Sequence, residues 1–248
     1  MADPIHQFQI IPIVPFHVGG FDLSYTNSSL WMTFAAVLSI AVLGMSASRK
    51  AMVPGRLQVL SEMLYEFIGN MIRENIGSEG RRYFPLIFTL FVIVLMGNLL
   101  GMLPFSFTYT SHIIVTAALA LLIFFTVIVI GVARNGLHFF SLFVPPGVSF
   151  WLLPLIIPIE IISFLVRPLT LSVRLFANMM AGHLVLKVFA GFSVAMLGLG
   201  VGGLFAGLIP MLFNSILIAF EVLVALLHAY VFAVLACIYL KDTVDLHH

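Results

Sequence analysis

Residues 165–189 read LVRPLTLSVRLFANMMAGHLVLKVF, an apolar stretch long enough to lie within a lipid bilayer. The stretch carries Arg174, whose guanidinium stays charged at any ordinary pH. Placing an arginine at the centre of a membrane helix costs about 2.5 to 3.5 kcal/mol, so an arginine there indicates a functional site. We therefore expect this chain to move an ion.

The chain as a whole is strongly apolar. Of its 248 residues, 62% are hydrophobic and 8% are charged, and the mean hydropathy is +1.17. Soluble domains carry about 25% charged residues, so the composition predicts an integral membrane protein. The net charge of +1 gives no reason to expect a nucleic-acid partner. Cys237 is the only cysteine, which excludes an intrachain disulfide and a C-x-x-C metal or redox site.

The apolar runs predict five membrane crossings and one helix in the membrane plane. The first three crossings are expected at 30–48, 84–104 and 113–133, each near the about 20 residues that span the hydrocarbon core. The second and third form a hairpin. Residues 57–76 repeat apolar side chains at helical spacing and carry charges on the other faces, which predicts an amphipathic in-plane helix. Residues 1–29 contain no Lys or Arg, unlike a cleavable signal peptide, so we expect them in the mature chain as an outer-side segment.

Two further segments, 147–192 and 204–240, are longer than an ordinary crossing. The second would reach about 55 Å at 1.5 Å per residue, so it must tilt steeply, kink or protrude, and we expect a steep tilt. The glycine-rich stretch GLGVGG joins the two as a flexible turn. The prediction is a single all-α membrane domain, 1–248, that ends in an inner-side tail at 241–248.

The basic residues set the predicted orientation. Six of the Lys and Arg lie between Arg49 and Arg82, Arg134 follows the hairpin, and Lys241 follows the last helix. Basic loops stay on the cytoplasmic side, which places the amino terminus outside and the carboxyl terminus in the cytoplasm.

Polar side chains recur on defined faces of the two long helices. At about 100° per residue, Glu160, Arg167 and Asn178 fall on the face of Arg174, and His183 falls on the opposite face, with Lys187 one turn further along. In the last helix a seven-residue spacing stacks Asn214, Glu221 and His228 along one face. These faces predict a path for a charged species through the membrane.

Each of these residues also has a structural interpretation. Arg174 could belong to an ion pair within the helix bundle, and His183 and Glu221 could satisfy each other through a buried hydrogen bond. Asparagine side chains could bond between helices, Glu160 and Arg167 could snorkel to the inner interface, and His228 could simply pack. Solvated surface positions are expected for the other histidines, His6, His17, His112, His138, His247 and His248. The interhelical alternative applies to Asn98, Asn178 and Asn214.

Two motifs carry a resemblance to a known family. LTLSVRLFANMMAGH at 169–183 and EVLVALLHAYVFAVLACIYL at 221–240 resemble the signature of subunit a of F-type ATP synthases. The resemblance extends to MGNLLGMLPFSFTYTSH at 96–112 and to DPIHQFQI at 3–10, which is similar to the amino terminus of bacterial members.

The resemblance implies roles for individual residues. Arg174 matches the essential arginine of the stator, which faces the rotating c-subunit ring, so the last two helices would form a hairpin against that ring. His183 and Glu221 match an interacting pair that lines the outer half-channel. Asn178 matches the asparagine one turn from the arginine, and Glu160 the acidic position near the inner half-channel.

Two further residues complete the predicted proton-translocating set, Asn214 and His228. His228 departs from the family, which usually has glutamine there close to the arginine, so the helix-to-helix hydrogen bond expected at this position is in doubt.

The resemblance also implies partners: the c-subunit ring, b-type peripheral stalk subunits, the rest of the complex, the bilayer and protons. A bacterial inner membrane is expected, with the mitochondrial inner membrane as the alternative. The chain is expected to have no active site, cofactor or metal of its own.

A secondary transporter would normally show internal repeats, which this sequence lacks. A structural scaffold would leave the polar faces unexplained. The resemblance and His183 favour H⁺ over Na⁺ as the ion.

Overall fold

The computed structural model describes residues 8–18, 21–48, 54–103, 106–144, 149–198 and 201–244. The α-helices are α1 Asn27–Ser48, α2 Arg56–Ile76, α3 Phe84–Gly101, α4 Ile113–Asn135, α5 Leu153–Leu197 and α6 Val201–Val244. Short 3-10 helices lie at Ser78–Tyr83, Tyr109–Ser111, Gly136–Phe143 and Phe150–Leu152. The predicted all-α fold is confirmed.

Five helical segments in the described ranges are long and apolar enough to cross a membrane. They are Asn27–Ser48, Ser78–Gly101, Ile113–Asn135, Leu153–Leu197 and Phe205–Thr243. Helix α2 does not qualify because charged side chains recur along it, while Ile68, Met71 and Ile72 on one face are buried. The chain is therefore a multi-pass membrane protein, and the in-plane position of α2 stays a prediction.

The long helices α5 and α6 contain 45 and 44 residues. Helix α5 continues through Pro158 and Pro168, and α6 continues through Pro210. Each would extend about 65 Å at 1.5 Å per residue, which is about twice the thickness of a hydrocarbon core. A helix of this length would fit within the bilayer only if it tilted steeply. The steep tilt stays a prediction.

The carboxyl end of α6 lies beyond the end expected from the sequence. The helix continues to Val244 rather than stopping at Leu240, because Leu240 and Thr243 are both fully buried. This extension brings part of the expected tail into the helix. Residues 245–248, and residues 199–200 of the glycine-rich turn, lie outside the described part of the chain.

Short β-strands precede α1, and the sequence analysis did not predict them. Strand β1 (Pro12–Val14) pairs antiparallel with β4 (Tyr25–Thr26), and β2 (His17–Val18) pairs with β3 (Phe21–Asp22). The Asn27 side chain holds the start of β1: its Nδ2 donates to the Gln9 carbonyl at 3.0 Å, and its Oδ1 accepts from the Ile11 N–H at 3.2 Å. The pairing escaped prediction because the strands are shorter than the alternating runs that reveal strands.

Two compact units make up the chain. The first comprises Met1–Ala41, Ile93–His112 and Leu175–Ala229, and the second Val42–Val92, Ile113–Arg174 and Tyr230–His248. Buried side chains of the first unit include Asn98, Phe107, Leu175, Met179 and Ala225. Those of the second include Ile68, Ile87, Ile123, Val127 and Phe232.

The connection that follows α3 is a buried polar segment. Two of its hydroxyl side chains are satisfied locally, since the Ser106 and Thr108 hydroxyls both donate to the Gly101 carbonyl. The Tyr109 hydroxyl donates to the Ile93 carbonyl at 3.2 Å and lies where any side chain at Gly97 would stand. Burial raises the pKa of Tyr109 to about 12.

His112, for which a solvated surface position was expected, is half-buried. Its ring stacks on Phe107 with centroids 5.1 Å apart, and its buried Nε2 has no partner among the described residues. Burial lowers the pKa of His112 because the charged imidazolium is disfavoured there. His17 and His138 are exposed, as expected, and the terminal histidines lie outside the described residues.

Candidate functional site

His183 and Glu221 lie side by side in the first unit. His183 on α5 and Glu221 on α6 are buried, with 8% and 6% of their side chains exposed, and Nε2 of His183 is 3.9 Å from Oε1 of Glu221. This distance exceeds a hydrogen bond, so the two residues do not satisfy each other through one. The family resemblance implied that His183 and Glu221 interact, which helical spacing alone could not predict. The structure places the two side chains next to each other.

The Glu221 carboxyl has no hydrogen-bond partner in the described residues. Both of its oxygens are buried and unpaired. A buried carboxylate without a partner is costly, so this group requires a proton, a water molecule or a moving donor. Such a group is suited to exchanging protons with its surroundings.

Gly182 makes the position of Glu221 possible. A Cβ atom at residue 182 would lie 2.6 Å from Oε1 of Glu221 and 3.1 Å from its carboxyl carbon. Only glycine leaves room for the carboxyl to rest against the α5 backbone at this point. This role was not predicted, although Gly182 directly precedes His183 in the family motif.

Thr108 fixes the orientation and tautomer of His183. The Thr108 hydroxyl lies 3.0 Å from His183 Nε2 and donates its only proton to the Gly101 carbonyl at 2.9 Å. Because a hydroxyl has a single proton, the bond to His183 requires that Nε2 carries a proton and donates it to Thr108. Thr108 is 1% exposed, and the sequence analysis missed it because it lies in the connection after α3.

A hydrogen bond between Asn178 and His228 also joins α5 and α6. His228 Nδ1 is 2.8 Å from the Val224 carbonyl, which can only accept, so Nδ1 carries the proton. Nε2 of the neutral ring then accepts from Asn178 Nδ2, with which it is hydrogen bonded. The helix-to-helix bond is therefore present despite the departure from glutamine at position 228.

The two other asparagines behave differently from each other. Asn98 Nδ2 donates across helices to the Ala225 carbonyl at 3.4 Å, which fits the interhelical alternative. Its Oδ1 is buried without a partner among the described residues, and so is Oδ1 of Asn214. Unpaired buried oxygens of this kind are normally satisfied by water.

Arg174 lies in the second unit, on the exposed surface of α5. It makes no ion pair or hydrogen bond with any residue that the structure describes. The alternative of an ion pair within the chain therefore finds no partner in the described ranges. Leu171 and Leu175 are buried, whereas Arg174 between them along the chain is exposed.

Arg167 and Glu160, also in the second unit, have separate surroundings. Arg167 Nη1 donates to Asp242 Oδ2 at 2.8 Å, and its guanidinium lies 5.3 Å from the Tyr239 ring centroid. Arg167 is thus held by α6 rather than snorkelling freely. Asp242 was missed because the sequence placed it in the tail. Glu160 is half-buried.

No group of three or more His, Cys, Asp or Glu side chains that could hold a metal ion occurs within the described ranges. Cys237 is buried as a free thiol. The candidate site residues bear imidazole, carboxyl, amide and guanidinium groups.

The sequence matches the ATP synthase A chain family over residues 29–241. It is 53% identical over 247 residues to ATP synthase subunit a of Mesorhizobium japonicum, covering 100% of this chain and 98% of the relative. It is 54% identical to ATP synthase subunit a of Rhizobium leguminosarum bv. trifolii, covering 98% and 97%. It is also 54% identical to that of Rhodopseudomonas palustris, covering 100% and 99%. The match confirms the resemblance found in the motifs, and the chain belongs to the ATP synthase A chain family.

Proposed function

We propose that this chain is the proton-translocating stator subunit of the Fo sector of an F-type ATP synthase. Membership of the family supports a place in that complex. The observation that carries the proposal is Arg174, an exposed arginine in an apolar helix with no acid partner among the described residues. A charge in that position needs a partner of opposite sign, and another subunit must supply it.

The partner we propose is the membrane carboxyl of a c-subunit ring. A ring carboxyl in lipid is neutral because burying its charge is costly, and an adjacent guanidinium favours the ionised form. Arg174 would therefore stabilise the carboxylate that remains when each passing carboxyl releases its proton into the adjoining half-channel. Since a guanidinium is not deprotonated at ordinary pH and repels incoming protons, the same group would block a direct leak.

His183 and Glu221 would deliver protons from the outer side. Their buried contact, the unpaired Glu221 oxygens and the fixed His183 tautomer support a relay. Imidazole suits this task because its unperturbed pKa lies near 6.5, where small changes in surroundings move its charge. Asn178, Asn214 and His228 would line the same path, and Glu160 would serve the inner half-channel.

The complete assembly follows from this role. Two offset half-channels, connected only through the ring carboxyl, would turn proton flow into ring rotation and ATP synthesis. The chain itself would carry no active site, and b-type stalk subunits would hold it against rotation. We place it in a bacterial inner membrane, with the amino terminus outside and the carboxyl terminus in the cytoplasm.

The test uses the whole complex, purified and reconstituted into vesicles. Arg174→Ala should abolish ATP-driven proton pumping and ATP synthesis, and Arg174→Lys should restore little, because lysine is a titratable point charge. Arg56→Gln, which removes an exposed arginine from α2, is the matched control and should remain active. Normal ATP synthesis by an assembled Arg174→Ala complex would overturn the proposal.

A further inference from the structure

The carboxyl half of α2 and the start of α3 line a cavity of mixed polar and apolar character in the second unit. The cavity has a volume of about 580 Å³, within the roughly 300 to 1,000 Å³ of ligand pockets. Arg73 on α2 and Arg81 in the 3-10 helix Ser78–Tyr83 line it, together with Ser78. Gly77 allows this arrangement, because its φ of +83° ends α2 and turns the chain back toward the cavity.

A second cavity of about 490 Å³ shares two of these residues, Ser78 and Arg81. Its lining adds Arg82, Glu79 and Arg134. The two cavities together thus present four arginines against two glutamates, Glu66 and Glu79. The excess charge of the shared site is positive.

Most of this positive charge has no acidic partner in the described residues. Glu79 forms an ion pair with Arg134, which uses one carboxylate and one guanidinium. Arg73, Arg81 and Arg82 are exposed and make no ion pair with a residue in the described ranges. Since guanidinium groups bind phosphate through paired N–H donors, these arginines fit a phosphate ligand.

The cavities lie at a membrane boundary. The 3-10 helix opens the apolar segment Ser78–Gly101, and Arg134 lies at the end of the apolar segment Ile113–Asn135. The Glu79–Arg134 pair therefore marks the level at which both segments meet the headgroup region.

The first cavity also has an apolar wall. The Tyr65 and Phe84 rings that line it lie with centroids 4.5 Å apart. On the same helix, Met63 and Phe67 are 63% and 44% exposed, so apolar surface continues beside the cavity. A free phosphate would use only the arginines, whereas a phospholipid would use both the arginines and this wall.

We propose that Arg73, Arg81 and Arg82 bind the phosphate headgroup of an anionic phospholipid, whose acyl chains lie along the Tyr65 and Phe84 wall. Basic pockets beside membrane helices are suited to such headgroups, and each arginine near an anionic lipid surface favours binding by about fivefold. This binding site is independent of the proton path.

The experiment uses the intact, detergent-purified complex and a photoactivatable phosphatidylglycerol probe, with labelled peptides mapped by mass spectrometry. Label is expected within residues 65–85, competed by unlabelled phosphatidylglycerol but not by phosphatidylcholine. Arg73→Gln and Arg81→Gln should each reduce it about fivefold. Arg73→Lys and Arg81→Lys, which keep the charge, should lose less and guard against a folding defect. Arg56→Gln, on the same helix but away from both cavities, should label normally.

Several results would overturn the proposal. Equal labelling by a phosphatidylcholine probe would mean that the site does not distinguish an anionic headgroup from a zwitterionic one. Full competition by inorganic phosphate at the same concentration would indicate a free-anion site. Absence of lipid label, with a photoreactive residue at position 81 crosslinking to another subunit, would assign the arginines to a protein partner.

Discussion

The carboxyl of Glu221 rests against the backbone of Gly182, so that a Cβ atom added to residue 182 would stand 2.6 Å from Oε1. Gly182 and His183 are neighbours on α5. The contact of Gly182 with Glu221 therefore sets the position of the carboxyl beside His183. Because the atom that would have to move is the end of a flexible side chain, a methyl group here should displace the carboxyl without unfolding the protein.

Gly182→Ala should therefore impair proton transport more than assembly. A displacement of about 1 Å in a site that depends on geometry can cost up to about a hundredfold in rate, and we expect a loss of ten- to a hundredfold. ATP-driven pumping by reconstituted complexes measures it. Gly191→Ala is the control, since Gly191 lies on the same helix and nothing stands within 4 Å of its added Cβ. Equal activity of the two variants would contradict the role of the Gly182 contact.

Thr108→Val should reduce proton transport by removing the acceptor of His183 Nε2–H. Leaving a buried donor unsatisfied costs about 1 to 3 kcal/mol. If this cost falls on the transport step, the rate of proton transport should drop by roughly 5- to 150-fold. The pH profile of pumping should shift as well, because the neutral tautomer is no longer fixed. A purely structural role for Thr108 would lower the amount of complex without moving the profile.

Two companion variants sharpen the Thr108 test. Thr108→Ser keeps the hydroxyl and should retain most activity. Thr110→Val removes a buried hydroxyl that has no partner among the described residues, so it should be close to neutral.

His228→Gln should preserve the pumping rate, whereas His228→Leu should lower it. The glutamine carbonyl can still accept from Asn178 Nδ2, but leucine leaves that amide unpaired between α5 and α6. Hydrogen bonds between membrane helices average about 0.6 kcal/mol, so the leucine variant should lose a few-fold in pumping rate. If both variants behaved alike, the bond between Asn178 and His228 would have no part in transport.

The sequence predicted the five apolar helices because apolar run length follows directly from the thickness of a bilayer. It also predicted the polar face that carries Glu221, because helical rotation is regular. Residue spacing shows which side chains share a face of one helix, but it does not show which face of a neighbouring helix they contact. The contact of His183 with Glu221 therefore came from the family motifs in the sequence and from packing in the structure.

Thr108 and Asp242 show where the sequence was insufficient. Thr108 lies in a connection rich in hydroxyls, which in sequence is typical of a solvated turn, yet tertiary packing buries it against His183. Asp242 follows Lys241 at the apparent end of a helix, and only the burial of Leu240 and Thr243 extends α6 past it. Both positions depend on long-range contacts that no local pattern encodes.

The ion pair between Arg167 and Asp242 should stabilise the second unit modestly. Its side chains are 30% and 33% exposed, so water and salt weaken the attraction, and we expect a coupling energy of about 0.2 to 1 kcal/mol. A double-mutant cycle of Arg167→Gln and Asp242→Asn, read as the melting temperature of the purified complex in 0.05 M and 0.5 M salt, measures it. The coupling should shrink at the higher salt. Glu74→Gln removes an exposed charge from α2 and should leave the melting temperature unchanged. A coupling of several kcal/mol that ignores salt would mean that the pair is shielded from water in the assembled complex, contrary to the exposure seen here.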